Sequence, residues 1–174
     1  KFAARTPSVG ATRPYTTASA AITALMESKC FESSTVRVQK EVAERLCAAP
    51  GTSAYGAFSV FMQYYTEPEL LFAVPRECFE PQPKVTSAVL RAVVRREPPV
   101  EVEDEKFFFR VVYAAFALRR KTLVNSLMTA FGSQLTKEQV TQAVTSCGLE
   151  ANIRGERLGL SEFAVLAKAI HALV

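Results

Sequence analysis

A stiff proline turn constrains this chain more than any other stretch. Pro75-Arg-Glu-Cys-Phe-Glu-Pro-Gln-Pro-Lys-Val-Thr-Ser-Ala-Val-Leu90 is entered from an apolar run (Leu70, Leu71, Phe72, Val74) and left on a β-branched one. Pro81 and Pro83 each hold φ near about −65° and push the preceding residue toward extended backbone. The turn is therefore rigid, with Phe79 at its entrance. Position alone leaves two readings of Phe79. It caps a core, as aromatic rings ordinarily do, or it presents a fixed flat face to a ligand such as a base.

The flanking sequence divides at Arg95-Arg96-Glu97-Pro98-Pro99, where two prolines lead into an acidic run (Glu101, Glu103, Asp104, Glu105). Before it, residues 16–30 have Ile22, Leu25 and Met26 at helical spacing. Thr35–Gln39 alternates as a short strand, and Lys40–Ala48 reads as a helix ended by Pro50-Gly51. Phe58–Tyr65 and Glu69–Val74 are apolar runs of strand length separated by a break at Pro68. Val85–Val94 is apolar on both alternating faces and reads as a buried strand. The mixture predicts an α/β sheet whose last strands pair antiparallel.

After the prolines the pattern is helical. Phe107, Phe108, Val111, Val112, Ala115 and Phe116 share one face, with Asp104 as N-cap. Leu123, Leu127 and Met128 mark a second helix stopped by Gly132. Thr136-Lys-Glu-Gln139 is a capping-box pattern opening a third, stopped at Gly148. Ser161 opens a fourth, with Phe163, Leu166, Ala167 and Ile170 on its inner side. The expected domains are residues 1–96 and 97–174.

With 174 residues, 49% of them hydrophobic, the chain can bury a real core. Its net charge of +4 is compatible with a nucleic-acid partner and does not demand one. Cys30, Cys47, Cys78 and Cys147 are scattered, without a C-x-x-C pair, and His171 is the single histidine. That pattern indicates neither a zinc site nor a disulfide framework and points to a reducing cytoplasm. No apolar run approaches the ~20 residues of a membrane span. Lys1-Phe-Ala-Ala-Arg-Thr-Pro lacks an initiator Met and an apolar signal core, so the chain reads as a fragment or processed piece.

Several motifs together resemble one family. Gln39-Lys-Glu-Val-Ala-Glu-Arg-Leu46, Pro50-Gly-Thr and Ala54-Tyr-Gly56 stand first. Phe79-x-Pro-x-Pro-Lys-Val-x-Ser-Ala-Val89 and Phe116-x-x-Arg-Arg-Lys-Thr-Leu-x-Asn-Ser-Leu127 follow. Asn152-x-Arg154 and Leu158-x-Leu-x-Glu-Phe163 complete the set. In order, over residues 11–173, these resemble the small-subunit ribosomal RNA adenine dimethyltransferases of the kasugamycin-resistance type. Those enzymes are similar to macrolide-resistance rRNA methylases and mitochondrial transcription factor B proteins.

The resemblance implies the C-terminal half of a Rossmann-like S-adenosylmethionine domain followed by a small all-α rRNA-binding domain. It implies N6,N6-dimethylation of adjacent adenosines near the 3′ end of small-subunit rRNA, by a monomeric protein without metal. The exocyclic amine is a poor nucleophile because its lone pair is delocalised into the ring. In the family an Asn-Leu-Pro-Tyr motif accepts hydrogen bonds from that amine and localises the lone pair, while aromatic rings hold the flipped base. The matching segment here is Thr12-Arg13-Pro14-Tyr15. Pro14 and Tyr15 agree; Thr12, the expected contact to amine and cofactor, reaches less far than Asn, and Arg13 adds bulk and charge, so methyl transfer is expected to be strongly impaired. All seven glycines fall outside any G-x-G arrangement, so this chain alone is expected not to hold the cofactor.

On this reading Tyr15 and Phe79 form opposing walls around the target adenine. Arg119-Arg120-Lys121 and Lys84 meet rRNA phosphates, and Arg95 and Arg96 extend the basic surface. The plainer account makes Tyr15 a turn tyrosine and the charge run a solvated face. Glu41 and Glu44 read as helix-face ion-pair partners of Lys40 and Arg45 rather than a catalytic acid pair. His171 reads as structural or exposed. Two other functions stay open: a non-catalytic RNA-binding or ribosome-assembly module, and a macrolide-resistance-type methylase acting on large-subunit rRNA.

Overall fold

The computed structural model describes residues 32–174, which fall into two compact units. The first comprises residues 32–47 and Met62–Pro98, the second Ala48–Phe61 and Pro99–Val174. The units are thus not continuous in sequence.

In the first unit, strand β1 (Ser33–Gln39) runs directly into helix α1 (Lys40–Leu46). Helix α2 (Ala57–Tyr65) supplies its last turn to this unit and its first part to the other. Strand β2 (Thr66–Val74) follows, and after the proline turn comes β3 (Ser87–Val94). The sheet order is β1-β3-β2, with β3 antiparallel to both neighbours. The two outer strands therefore run parallel, with the last strand inserted between them. Central β3 buries Ala88, Leu90 and Ala92 on one face; on the other Ser87 is buried, Val89 and Val93 are partly covered and Arg91 is exposed. Ala43 and Leu46 of α1 are fully buried in this unit. Burying a leucine of that kind contributes roughly 1.5–3 kcal/mol.

Two expectations for this unit's strands need correction. The aromatic run Phe58–Tyr65 is helical, not a strand. Ser59, Val60, Phe61, Met62 and Tyr64 are all buried, and a run buried nearly all round carries no period that separates helix from strand. Local chemistry decides: the Ser59 hydroxyl accepts from the Gly56 N–H at 3.1 Å, and the Gly56 carbonyl takes the N–H groups of Ser59 and Val60. Pro68 does not interrupt β2, which is an edge strand of the described sheet, where a missing donor is tolerated.

The second unit is a helical bundle: α3 (Glu105–Phe116), α4 (Leu123–Phe131), α5 (Lys137–Ser146) and α6 (Leu160–His171). Asp104 accepts from the Phe107 N–H at 3.0 Å, capping α3. Thr136 and Gln139 exchange both bonds of a capping box at α5. Helix α6 starts two residues before Ser161 leads one to expect, because Glu162 Oε2 accepts from the Gly159 N–H at 3.0 Å and fixes Gly159 as the cap. Phe108, Phe131, Phe163, Leu127, Leu166 and Ile170 fill the core without exposed surface.

Residues 48–61 are built into this bundle. The Gly51 N–H donates to the Glu156 carbonyl at 2.7 Å, and Tyr55 Oη donates to the Leu158 carbonyl at 2.9 Å. The Tyr55 ring meets Phe116 edge-on at 5.8 Å, and Phe61 lies 5.5 Å from Phe109. At the 3-10 turn Gly155–Arg157, a Cβ on Gly155 would stand 2.5 Å from the Ala115 carbonyl oxygen. Only glycine fits that crossing.

Candidate nucleic-acid interface

In the sheet unit the proline turn is braced at both ends. The Cys78 N–H bonds the Pro75 carbonyl, the Phe79 N–H bonds Arg76, and the Lys40 N–H takes the Thr86 carbonyl at 3.0 Å. The Glu80–Pro81 peptide is cis. Phe79 is half-buried rather than sealed in the core. The guanidinium of Arg37 lies over its ring, 4.6 Å from the centroid. Lys84, three residues before β3 begins at Ser87, is exposed. The turn thus carries an aromatic ring, a cation stacked on it and a further free-standing cation.

Arg37 was not among the residues singled out from sequence. Alternation with Val36 and Val38 places it on the outer side of β1, but its meeting with Phe79 depends on the β1–β3 register, which sets Arg37 opposite Val89. Arg95, expected to extend the basic surface, is used internally. Its Nε donates to the Gln63 and Thr66 carbonyls and its Nη1 pairs with Glu67 at 2.8 Å. Arg96 is exposed.

In the helical unit Arg119, Arg120 and Lys121 occupy the turn between α3 and α4, all exposed. Ser126 Oγ donates to the Leu118 carbonyl at 3.2 Å, Thr122 caps α4, and the Leu123 N–H takes the Ile153 carbonyl at 2.7 Å. This short turn is consequently held at both ends. The Arg119 guanidinium hydrogen-bonds the Ser53 carbonyl, so part of its donor set is spent inside the unit. The side chains of Arg120 and Lys121 point their charge to solvent. Arg154 and Arg157 line a separate hollow of about 290 Å³ with Asn152, and Arg157 also lies against Gly51.

Thr12, Pro14 and Tyr15 lie outside the described residues. Glu44 pairs with Lys40 at 3.6 Å on the exposed side of α1, an i,i+4 ion pair. His171 stacks on Phe107 at 4.4 Å. Burial pushes the Cys47 and Cys147 thiols up, away from nucleophilic thiolates. Among the described residues no group of three His, Cys, Asp or Glu side chains could hold a metal ion, and no helix is long and apolar enough to cross a membrane.

The sequence matches the family model for ribosomal RNA adenine dimethylase over residues 7–168. It is 50% identical over 136 residues to a ribosomal RNA small subunit methyltransferase A from Geobacillus sp. (strain WCH70), covering 78% of this chain and 47% of the relative. With the protein of that name from Streptococcus thermophilus (strain ATCC BAA-250 / LMG 18311) it shares 46% identity over 164 residues, 93% of this chain and 57% of the relative. The chain therefore spans about half the length of the curated relatives it matches. Its fold is similar to that of a dimethyladenosine transferase from Plasmodium falciparum (TM-score 0.77, 20% identity, 94% of this chain and 66% of that one). It is also similar to the 23S rRNA methyltransferase ErmE (TM-score 0.63, 23% identity, 91% of this chain and 63% of that one).

Proposed function

The chain belongs to the ribosomal RNA adenine dimethylase family, and from that premise we propose that it is the C-terminal portion of an enzyme that dimethylates adjacent adenosines of small-subunit rRNA at N6 during ribosome biogenesis. The observation that carries this reading is the braced proline turn, which holds Phe79 half-exposed with a cation on one side of its ring.

The roles follow from side-chain chemistry. Phe79 offers a planar face on which an extruded adenine stacks, worth roughly 1–3 kcal/mol per base. Arg37 occupies the opposite face and keeps the ring from turning. Lys84 beside the turn, and Arg120 and Lys121 on the helical unit, neutralise rRNA phosphates and orient the strand without reading its sequence. Arg119 contributes through whatever donors its bond to Ser53 leaves over. Tyr15 supplies the second wall, and Thr12 the acceptor for the adenine amine.

The described residues do not fit S-adenosylmethionine, the methyl donor of this reaction. Gly51, Gly132, Gly155 and Gly159 face the chain's own atoms, while Gly56 and Gly148 stand singly with open space about them. None lines a cradle of the kind a dinucleotide-like cofactor needs. Thr12 is proposed as the contact nearest the donor.

Thr12 and Arg13 in place of Asn and Leu favour a second reading, an RNA-binding assembly module without methyl transfer. Reconstitution separates the two. The protein from its complete reading frame, given S-adenosylmethionine and unmethylated small subunits, is expected to yield N6,N6-dimethyladenosine by mass spectrometry. Subunit binding with no modified adenosine would leave the assembly reading standing.

A further inference from the structure

The helical unit holds a cleft of about 460 Å³ between the residues leading into α3 and the C-terminal half of α6. That size lies within the range of about 300–1,000 Å³ typical of ligand sites. Its floor is apolar, with Phe107 from α3 and Val165 from α6, the latter 54% exposed. His171 lies flat against Phe107, 4.4 Å between centroids, and adds ring surface to the lining. The rim carries the opposite sign to the rest of the chain. The cleft lining holds three carboxylates, Glu101, Glu103 and Asp104, against one ammonium, Lys168, in a protein of net charge +4. Asp104 is committed to capping α3, and Glu103 makes an exposed pair with Lys168 at 3.3 Å. Glu101 makes no ion pair among the described residues.

We propose that this cleft docks a basic, apolar-anchored peptide segment of a protein partner. An apolar floor takes an aliphatic or aromatic side chain, and the carboxylate rim takes flanking Lys or Arg residues, whose charges complement Glu101 and Glu103. The exposed Glu103–Lys168 pair is worth little on its own and exchanges readily for a partner's cation. The α6 wall from Ala164 to His171 spans seven residue steps, about 10 Å of helix. That is longer than one side chain, which favours a peptide over a small cation. RNA is disfavoured because its phosphates would meet carboxylates. The inference is independent of the proposed methyl transfer.

The test is fluorescence anisotropy with a labelled twelve-residue probe of alternating Lys and Arg carrying one central Leu. Two control probes replace that Leu with Ser, or the basic residues with Gln. The Leu-bearing basic probe is expected to saturate, with affinity falling about tenfold for either control. Val165→Lys and Glu101→Lys are expected to weaken it by a similar factor, and Glu101→Gln, which preserves shape, in the same direction by less. Circular dichroism checks that each variant is folded; Val165 and Glu101 are both exposed, so their substitution leaves the core intact. Absence of saturable binding would overturn the proposal, as would binding indifferent to both Val165→Lys and Glu101→Gln. So would a dimer in sedimentation that Val165→Lys dissolves, since the occupant would then be a second copy.

Discussion

The guanidinium of Arg37 sits over the ring of Phe79, 4.6 Å from its centroid. The pair fixes a cation against one face of the ring. Arg37→Met should cost about 0.5–1 kcal/mol of stability in urea denaturation, as an exposed cation–π pair does. Phe79→Leu should instead weaken binding of an adenosine-containing RNA by roughly 1–3 kcal/mol, with the salt dependence unchanged. Loss of salt dependence in the Phe79 variant would mean that the ring acts by holding a cation, not a base.

The basic run between α3 and α4 divides into unequal members. Arg120→Ala and Lys121→Ala should each lower the logarithmic salt slope of rRNA binding by about one and leave stability within about 0.5 kcal/mol. Arg119→Ala should additionally destabilise the fold, because it releases the Ser53 carbonyl. Parallel binding titrations and urea melts on the three variants distinguish these outcomes. Equal melts across all three would show that the bond to Ser53 contributes nothing.

How much of this was readable in the residues depends on how local the cause is. The cap at Asp104, the box at Thr136 and Gln139, and the inner face of α6 follow from short-range chemistry, and the structure has them. Helix α2 was not readable, because Ser59–Met62 is buried almost all round and hides its period. Pro68 reads as a break until the sheet order shows β2 at an edge. The stacking of Arg37 on Phe79 and the bond from Tyr55 to Leu158 join residues 42 and 103 positions apart, and only the folded register brings them together. Phe79 and the basic run were found by motif; the partners that hold Phe79 and Arg119 in place had no sequence signal.

Gly155 tests the packing of the helical unit. Its Cβ position is 2.5 Å from the Ala115 carbonyl oxygen, so Gly155→Ala forces α3 and the 3-10 turn apart and should cost about 1–3 kcal/mol. Gly148, at φ +76° with open space around it, should lose about 1–2 kcal/mol on replacement by Ala through backbone strain alone. The two differ in repair: Gly148→Asn should recover most of the loss, since Asn tolerates this conformation, whereas Gly155→Asn should be worse than Gly155→Ala. Thermal melts of the four variants check the order.

Tyr55 gives the fold a dependence on alkaline pH. Burial, and secondarily the charge of Glu162, push its phenol well above the ordinary value of 10.0. The unfolded chain ionises first, so stability is intact below about pH 10 and falls as the pH rises from there toward the folded value. Tyr55→Phe should cost about 0.5–1.5 kcal/mol at pH 7 through the lost bond to Leu158. It should also lose less than the parent between pH 9 and about pH 11. Urea melts at the two pH values measure both effects; equal alkaline losses would place the Tyr55 hydroxyl in solvent.

The proposed methyl transfer to small-subunit rRNA is separated from its alternatives by a side-by-side substrate assay. The protein from its complete reading frame would be given S-adenosylmethionine with either unmethylated small ribosomal subunits or free large-subunit rRNA, and the digested RNA read by mass spectrometry. N6,N6-dimethyladenosine is expected at two adjacent positions in the small-subunit RNA alone, and less of it when Phe79 is changed to Leu. Modified adenosine in the large-subunit RNA, or none in either while both proteins still bind RNA, would contradict it.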